Sequence, residues 1–165
     1  MIRTLAALCL LAGPAAAQGF ATKDLTRVTV PTDLLAGQAN TTRAEPARLT
    51  ILCTDCGADF VAIDVLLGRQ TDGTEARFRS GQTTIAMLEA QCKARAPECT
   101  LSPVSVGGAV GWMSSFASGN GAGATAVLLQ DGDMLTIRSL APTADTAVAN
   151  ATAVANRLAP QIVSP

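Results

Sequence analysis

Histidine and tyrosine are absent from this 165-residue chain, and aromatic residues make up only 3% of it. Without histidine, the commonest general base near neutral pH and the commonest metal ligand are both missing. Serine–histidine and cysteine–histidine nucleophiles therefore cannot be assembled from this chain alone. Strong charge is lacking too: the net charge is −1, or −2 once Arg3 is lost with the leader described below, and no run of like charge occurs. That balance gives no electrostatic reason to expect nucleic acid or an anionic membrane as a partner. Beyond residue 17 no apolar stretch approaches the roughly 20 residues needed to cross a bilayer, which predicts no membrane insertion of the mature chain. Composition thus favours a non-enzymatic reading and implies no cofactor.

What is present begins with an address. Met1 to Arg3 is a short positive start, Thr4 to Leu11 an apolar run, and Ala15 to Ala17 a small-residue site before Gln18. This pattern predicts a bacterial-type export signal cleaved between Ala17 and Gln18, and hence a periplasmic protein. Leu8 before Cys9 argues against a lipid anchor, because lipoprotein processing sites want a small residue there. Cleavage leaves residues 18–165, the size of one ordinary domain.

Residues 18–46 are poorly patterned: a short strand is expected over Arg27 to Val30, and the segment as a whole is either disordered or adds an edge strand. From residue 47 to 165 the pattern sharpens into an α+β domain. Arg48 to Cys53 and Phe60 to Leu67 read as strands, joined through a turn with a bulge at Gly57. Asp72-Gly73 then reads as a hairpin turn into a strand over Thr74 to Arg79. Such a hairpin puts Val61, Ile63, Val65, Leu67, Ala76 and Phe78 on one face. Asp64, Glu75, Arg77 and Arg79 fall on the other, a solvated face or alternatively a ligand-binding one. Thr83 to Ala94 reads as a helix stopped by Pro97, with Ile85, Leu88 and Cys92 on one side. Strands follow at Cys99 to Val106, Val110 to Phe116, Ala124 to Gln130 and Met134 to Leu140. The Gly119 to Gly123 stretch is expected as a mobile loop. Around the Asp131-Gly132 turn, Ala126, Leu128, Leu135 and Ile137 share a face. Thr143 to Leu158 closes the chain as a helix, with an apolar stripe through Ala144, Val148, Ala151, Ala155 and Leu158. The expected architecture is a single domain with a largely antiparallel sheet covered by two helices.

Four cysteines remain after cleavage: Cys53, Cys56, Cys92 and Cys99. In an oxidising compartment an even count reads most simply as two disulfides. The local pairing, Cys53–Cys56 and Cys92–Cys99, is geometrically easy, whereas a crossed pairing would tie the first hairpin to the helix and stabilise more. Cys53-Thr54-Asp55-Cys56 also has the spacing of a thiol–disulfide exchange site. However, strand-like sequence follows it and Asp55 would raise a thiol pKa. Four thiolates with Met87, Met113 or Met134 could alternatively hold a soft metal such as Cu(I). Trp112, the one tryptophan, suits a core more than a binding surface.

The last 60 or so residues resemble the closing half of the PsbP-like fold, that of the photosystem II extrinsic subunits. The pieces that carry the resemblance are Val106-Gly107-Gly108 through Trp112, then Leu128 to Leu140 around Asp131-Gly132-Asp133, then Thr143 to Leu158. The resemblance implies a small exported accessory or assembly protein, a group mostly without catalysis. The function expected is therefore a disulfide-stapled periplasmic binding or accessory protein whose partner is an unknown protein or small molecule. The alternative is a thiol–disulfide or copper-handling protein working through Cys53 and Cys56.

Overall fold

A computed structural model describes residues 19–35, 38–56 and 60–165. The expected leader, its Ala17–Gln18 cleavage site and Gly57 lie outside the described residues. Seven strands form one fully antiparallel sheet: β1 (Asn40–Glu45), β2 (Arg48–Cys53), β3 (Ala62–Arg69), β4 (Thr100–Val106), β5 (Ala109–Ser118), β6 (Gly121–Gln130) and β7 (Asp133–Ala141). Their order across the sheet is β1-β2-β3-β7-β6-β5-β4. Three helices join them, α1 (Thr74–Arg79), α2 (Ile85–Lys93) and α3 (Ala144–Arg157). The fold is the α+β single domain expected, with one helix more.

The β6–β7 hairpin forms as its sequence dictates. Asp131 and Gly132 take φ of 52° and 80°, the left-handed pair that a tight two-residue turn requires. That turn sets a register pairing Ala126 with Ile137 and Leu128 with Leu135, and all four side chains are fully buried. α3 lies over this face, capped by the Thr143 hydroxyl on the Thr146 N–H. Its buried stripe is Ala147, Ala151, Val154, Ala155 and Leu158. Ala144 is exposed and Val148 marginal, so the stripe is turned slightly from the expected one. Small residues at three of these positions let the helix settle close to Ala124 and Ala126.

Two expectations fail for identifiable reasons. Thr74 to Arg79 is helix α1, not a strand. β3 already pairs with β2 on one edge and β7 on the other, so no edge is left for a third neighbour. Local chemistry favours the helix as well. Asp72 Oδ1 accepts the Thr74 N–H at 3.0 Å, and Glu75 and Arg79 pair at 2.8 Å across one turn. Ala76 and Phe78 consequently leave the core, and Phe78 packs on Trp112 with ring centroids 5.5 Å apart. Over Arg27 to Val30 there is no strand: Asp24 caps a single 3-10 turn at Leu25–Arg27. Thr29 instead donates its N–H to the Gln161 side-chain amide and accepts from it, so one amide serves in place of a neighbouring strand.

The poorly patterned N-terminal segment supplies both core and edge. Phe20, Leu25, Leu34 and Leu35 are buried in the main cluster, and β1 is the outer strand beside β2. The Asp133 carboxylate, itself 5% exposed, accepts the Phe20 N–H and pairs with Lys23 and Arg69, which pins the segment to the start of β7. At the other edge, the Leu101 N–H turns away from β5 and is taken by Glu89 of α2 at 3.2 Å. Strand alternation puts Pro103, which has no N–H, in the same outward row.

Candidate functional site

The two faces of the sheet differ. α3 closes one. On the other, α1 and α2 stand only over the β4–β5 end. Glu75 accepts the Gly132 N–H and Arg79 donates to the Gly108 carbonyl, so α1 is clamped onto the β6–β7 turn and the β4–β5 turn. α2 is tied to the start of β4 by Cys92–Cys99. The remainder of this face, from β1 to β6, carries no helix among the described residues.

Register across the sheet fixes what this open face displays. Arg43, Thr50, Asp64, Arg138, Thr125 and Ser114 are successive cross-strand partners on six adjacent strands, a polar row at right angles to the chain. On one side of it runs an apolar row through Leu52, Ala62, Leu140 and Phe116, with Gly123 between the last two. Leu52 and Leu140 are 37% and 43% exposed. The Phe116 ring lies over Gly123, where a Cβ would come within 2.6 Å of its tip, so a larger residue there would push the ring aside. On the other side Leu66, Thr136, Val127 and Trp112 form a second, better covered row. A concavity of about 450 Å³ opens between Asp64, Phe116, Thr125, Arg138 and Leu140, within the size range of small-molecule sites. A neighbouring one of about 430 Å³ lies over β1 and β2.

Charge along the row is unequally satisfied. Arg48 holds Asp64 in a two-pronged contact at 2.9–3.0 Å, and the Thr50 hydroxyl donates to the same carboxylate at 2.7 Å. Arg43 pairs with Glu45 at 2.9 Å. Arg138 is exposed and, among the described residues, has no carboxylate within 4.0 Å.

Cys53 and Cys56 are bonded to each other, as are Cys92 and Cys99, each pair with Cα atoms 5.8 Å apart. The local pairing is therefore the one adopted. Asp55 Oδ1 lies 3.8 Å from Cys53 Sγ and also accepts the Ala39 N–H. Cys92 sits in the last turn of α2, at the negative end of the helix dipole. Met113 is buried on the α3 face, Met134 lies on the opposite face, and Met87 is exposed on α2. The structure does not bring these sulfurs together. Among the described residues no group of three or more Cys, Asp or Glu is placed to hold a metal ion.

Of the charged residues expected on one sheet face, only Asp64 is there; Glu75, Arg77 and Arg79 belong to α1. The expected glycine loop shrinks to Gly119-Asn120, because Gly121 to Gly123 are paired within β6. Trp112 is half-buried beneath Phe78 at the border of the open face. No motif in the sequence singles out Arg138 or Thr125. Their signal was alternation alone, each standing one position away from the buried Ile137 and Ala126. No known family model, curated protein or solved structure matches the chain.

Proposed function

We propose that this is a non-catalytic exported accessory protein that binds a small molecule or a protein on the open face of its sheet, with both disulfides acting as staples. The observation that carries this reading is the inequality of the two faces. One is sealed by α3, while the other leaves the half-exposed Leu140 and Arg138, which among the described residues has no carboxylate partner, around one concavity, with the half-exposed Leu52 beside it. The leader expected over Met1 to Ala17 supports the periplasmic setting. The resemblance to PsbP-like domains accords with an accessory role.

Electrostatics support staples over a thiol–disulfide exchange site. Exchange needs a stabilised thiolate. Cys53 lies beside the Asp55 carboxylate and Cys92 at a helix C-terminus, and both settings oppose thiolate formation. Each short loop closed in this way contributes about 2–3 kcal/mol by chain entropy.

The test is photo-crosslinking in the exporting cell, with a photoreactive phenylalanine replacing Leu140 on the open face or Ala149 on the exposed side of α3. Adducts at position 140 without adducts at 149 are expected. Equal labelling at both, or none at either, overturns the reading. Counting thiols after alkylation tests the staples: all four cysteines should stay oxidised in mild reductant, and selective opening of Cys53–Cys56 would favour the redox alternative.

A further inference from the structure

We infer that the open face binds a carboxylate carried on an apolar chain, with Arg138 as the anion-binding residue. This rests on the open face being the binding surface and names the chemistry it recognises. Three arginines stand on this face, and two are already neutralised: Arg48 by Asp64, Arg43 by Glu45. The central polar row is left with the single positive charge of Arg138.

Hydrogen-bond geometry explains why the charge stays available. The Cys53 N–H bonds to the Val61 carbonyl, so residues 61, 63, 65 and 67 of β3 direct their backbone groups to β2. Alternation then directs Ala62, Asp64 and Leu66 to β7, and makes Asp64–Arg138 a hydrogen-bonded pair, the type with side chains farther apart. On its other side Arg138 faces Thr125 in a non-hydrogen-bonded pair, the type with side chains closest. Among the described residues the Thr125 hydroxyl has no hydrogen-bond partner. A guanidinium fork and a hydroxyl donor thus adjoin at the centre of the row, and an Arg fork matches a carboxylate in two parallel bonds.

The surroundings fix the rest of the ligand. Leu140 and Phe116 line the same concavity as Arg138 and Thr125. Leu52 extends the apolar row toward β1. A small hydrophilic anion would leave those side chains in water. An apolar chain headed by a carboxylate covers them while its head group meets Arg138.

Trp112 gives a direct readout, because it is the only tryptophan in a chain without tyrosine and lies on β5 next to Ser114 and Phe116. Dodecanoate and an N-acetylated tetraleucine with a free C-terminus are titrated into the mature protein and followed by Trp112 emission and calorimetry. Saturable binding of either is expected, and the one that binds identifies the source of the carboxylate as an acyl chain or a peptide end. Arg138→Gln should weaken it by about tenfold or more, the usual scale for losing a hydrogen bond to a charged group. Arg27→Gln, at an exposed position on the N-terminal turn, should leave it unchanged. A thermal melt confirms that Arg138→Gln is folded. The inference is overturned if neither probe binds, if dodecanol binds as well as dodecanoate, or if Arg138→Gln binds like the parent. Crosslinks confined to position 140 together with failure of both probes would remove this ligand chemistry and leave the binding face standing.

Discussion

The two faces of one sheet are made by the same strands, yet they follow different rules. On the α3 face the rows read Leu49, Val65, Ile137 and Ala126, all fully or almost fully buried, and small helix residues fit against them. One residue along, the opposite face reads Thr50, Asp64, Arg138 and Thr125. The first face holds the fold together through removal of apolar surface from water. The second contributes little to stability, since exposed ion pairs such as Arg48–Asp64 are worth about 0–1 kcal/mol. A face freed from stabilising the fold can hold side chains suited to a ligand.

The contrast can be broken most sharply at neighbouring positions of β7. Ile137→Ala should cost about 2–5 kcal/mol in chemical denaturation, because it opens a cavity beneath α3. Leu140→Ala, on the half-exposed side, should cost a small fraction of that. Equal losses would mean the open face is part of the core. Ser139→Ala sharpens the comparison in the other direction. Among the described residues the buried Ser139 hydroxyl on the closed side has no hydrogen-bond partner, so its removal should raise stability by about 1 kcal/mol.

The smallest effect concerns α1, which bounds the open face. Burial alone would raise the Glu75 pKa, but the Gly132 N–H and the Arg79 guanidinium outweigh it and hold it below the ordinary 4.5. The folded value being the lower one, Glu75 stabilises the docked helix fully above that pH and progressively less as pH falls through the depressed value. Acidification should therefore shift Trp112 emission as the Phe78 contact loosens, and Glu75→Gln, which carries no charge at any pH, should give the acid-form emission already at neutral pH and show no further acid step.

Local chemistry made much of this legible in the sequence. The Asp131-Gly132 turn sets its own register, Thr84 and Thr143 mark two helix starts with their capping hydroxyls, and short cysteine spacing favours local bridges. Thr74 to Arg79 reads as a strand yet folds as a helix because six residues of alternating polarity satisfy both equally. The Glu75–Arg79 spacing was the signal for the helix. Phe20, Leu25, Leu34 and Leu35 have no common period, so their burial depends on contacts from elsewhere in the chain. The polar row was illegible for a stronger reason. Asp64 and Arg138 become neighbours only because β3 pairs with β7, and no local pattern near either residue encodes that pairing.

That same pairing imposes an order of assembly on a chain made or threaded from its N-terminus. β4 to β7 form a meander of successive hairpins, and α3 follows directly, so this half can close on contacts near in sequence. β3 cannot. Ile63 and Val65 must wait uncovered until residues 133–141 arrive, with two helices and three strands made in between. Closing so long a loop is slow relative to hairpin formation. The half of the sheet that emerges first is thus completed last, and its unpaired β3 edge is the surface a folding chain most needs to keep from other chains.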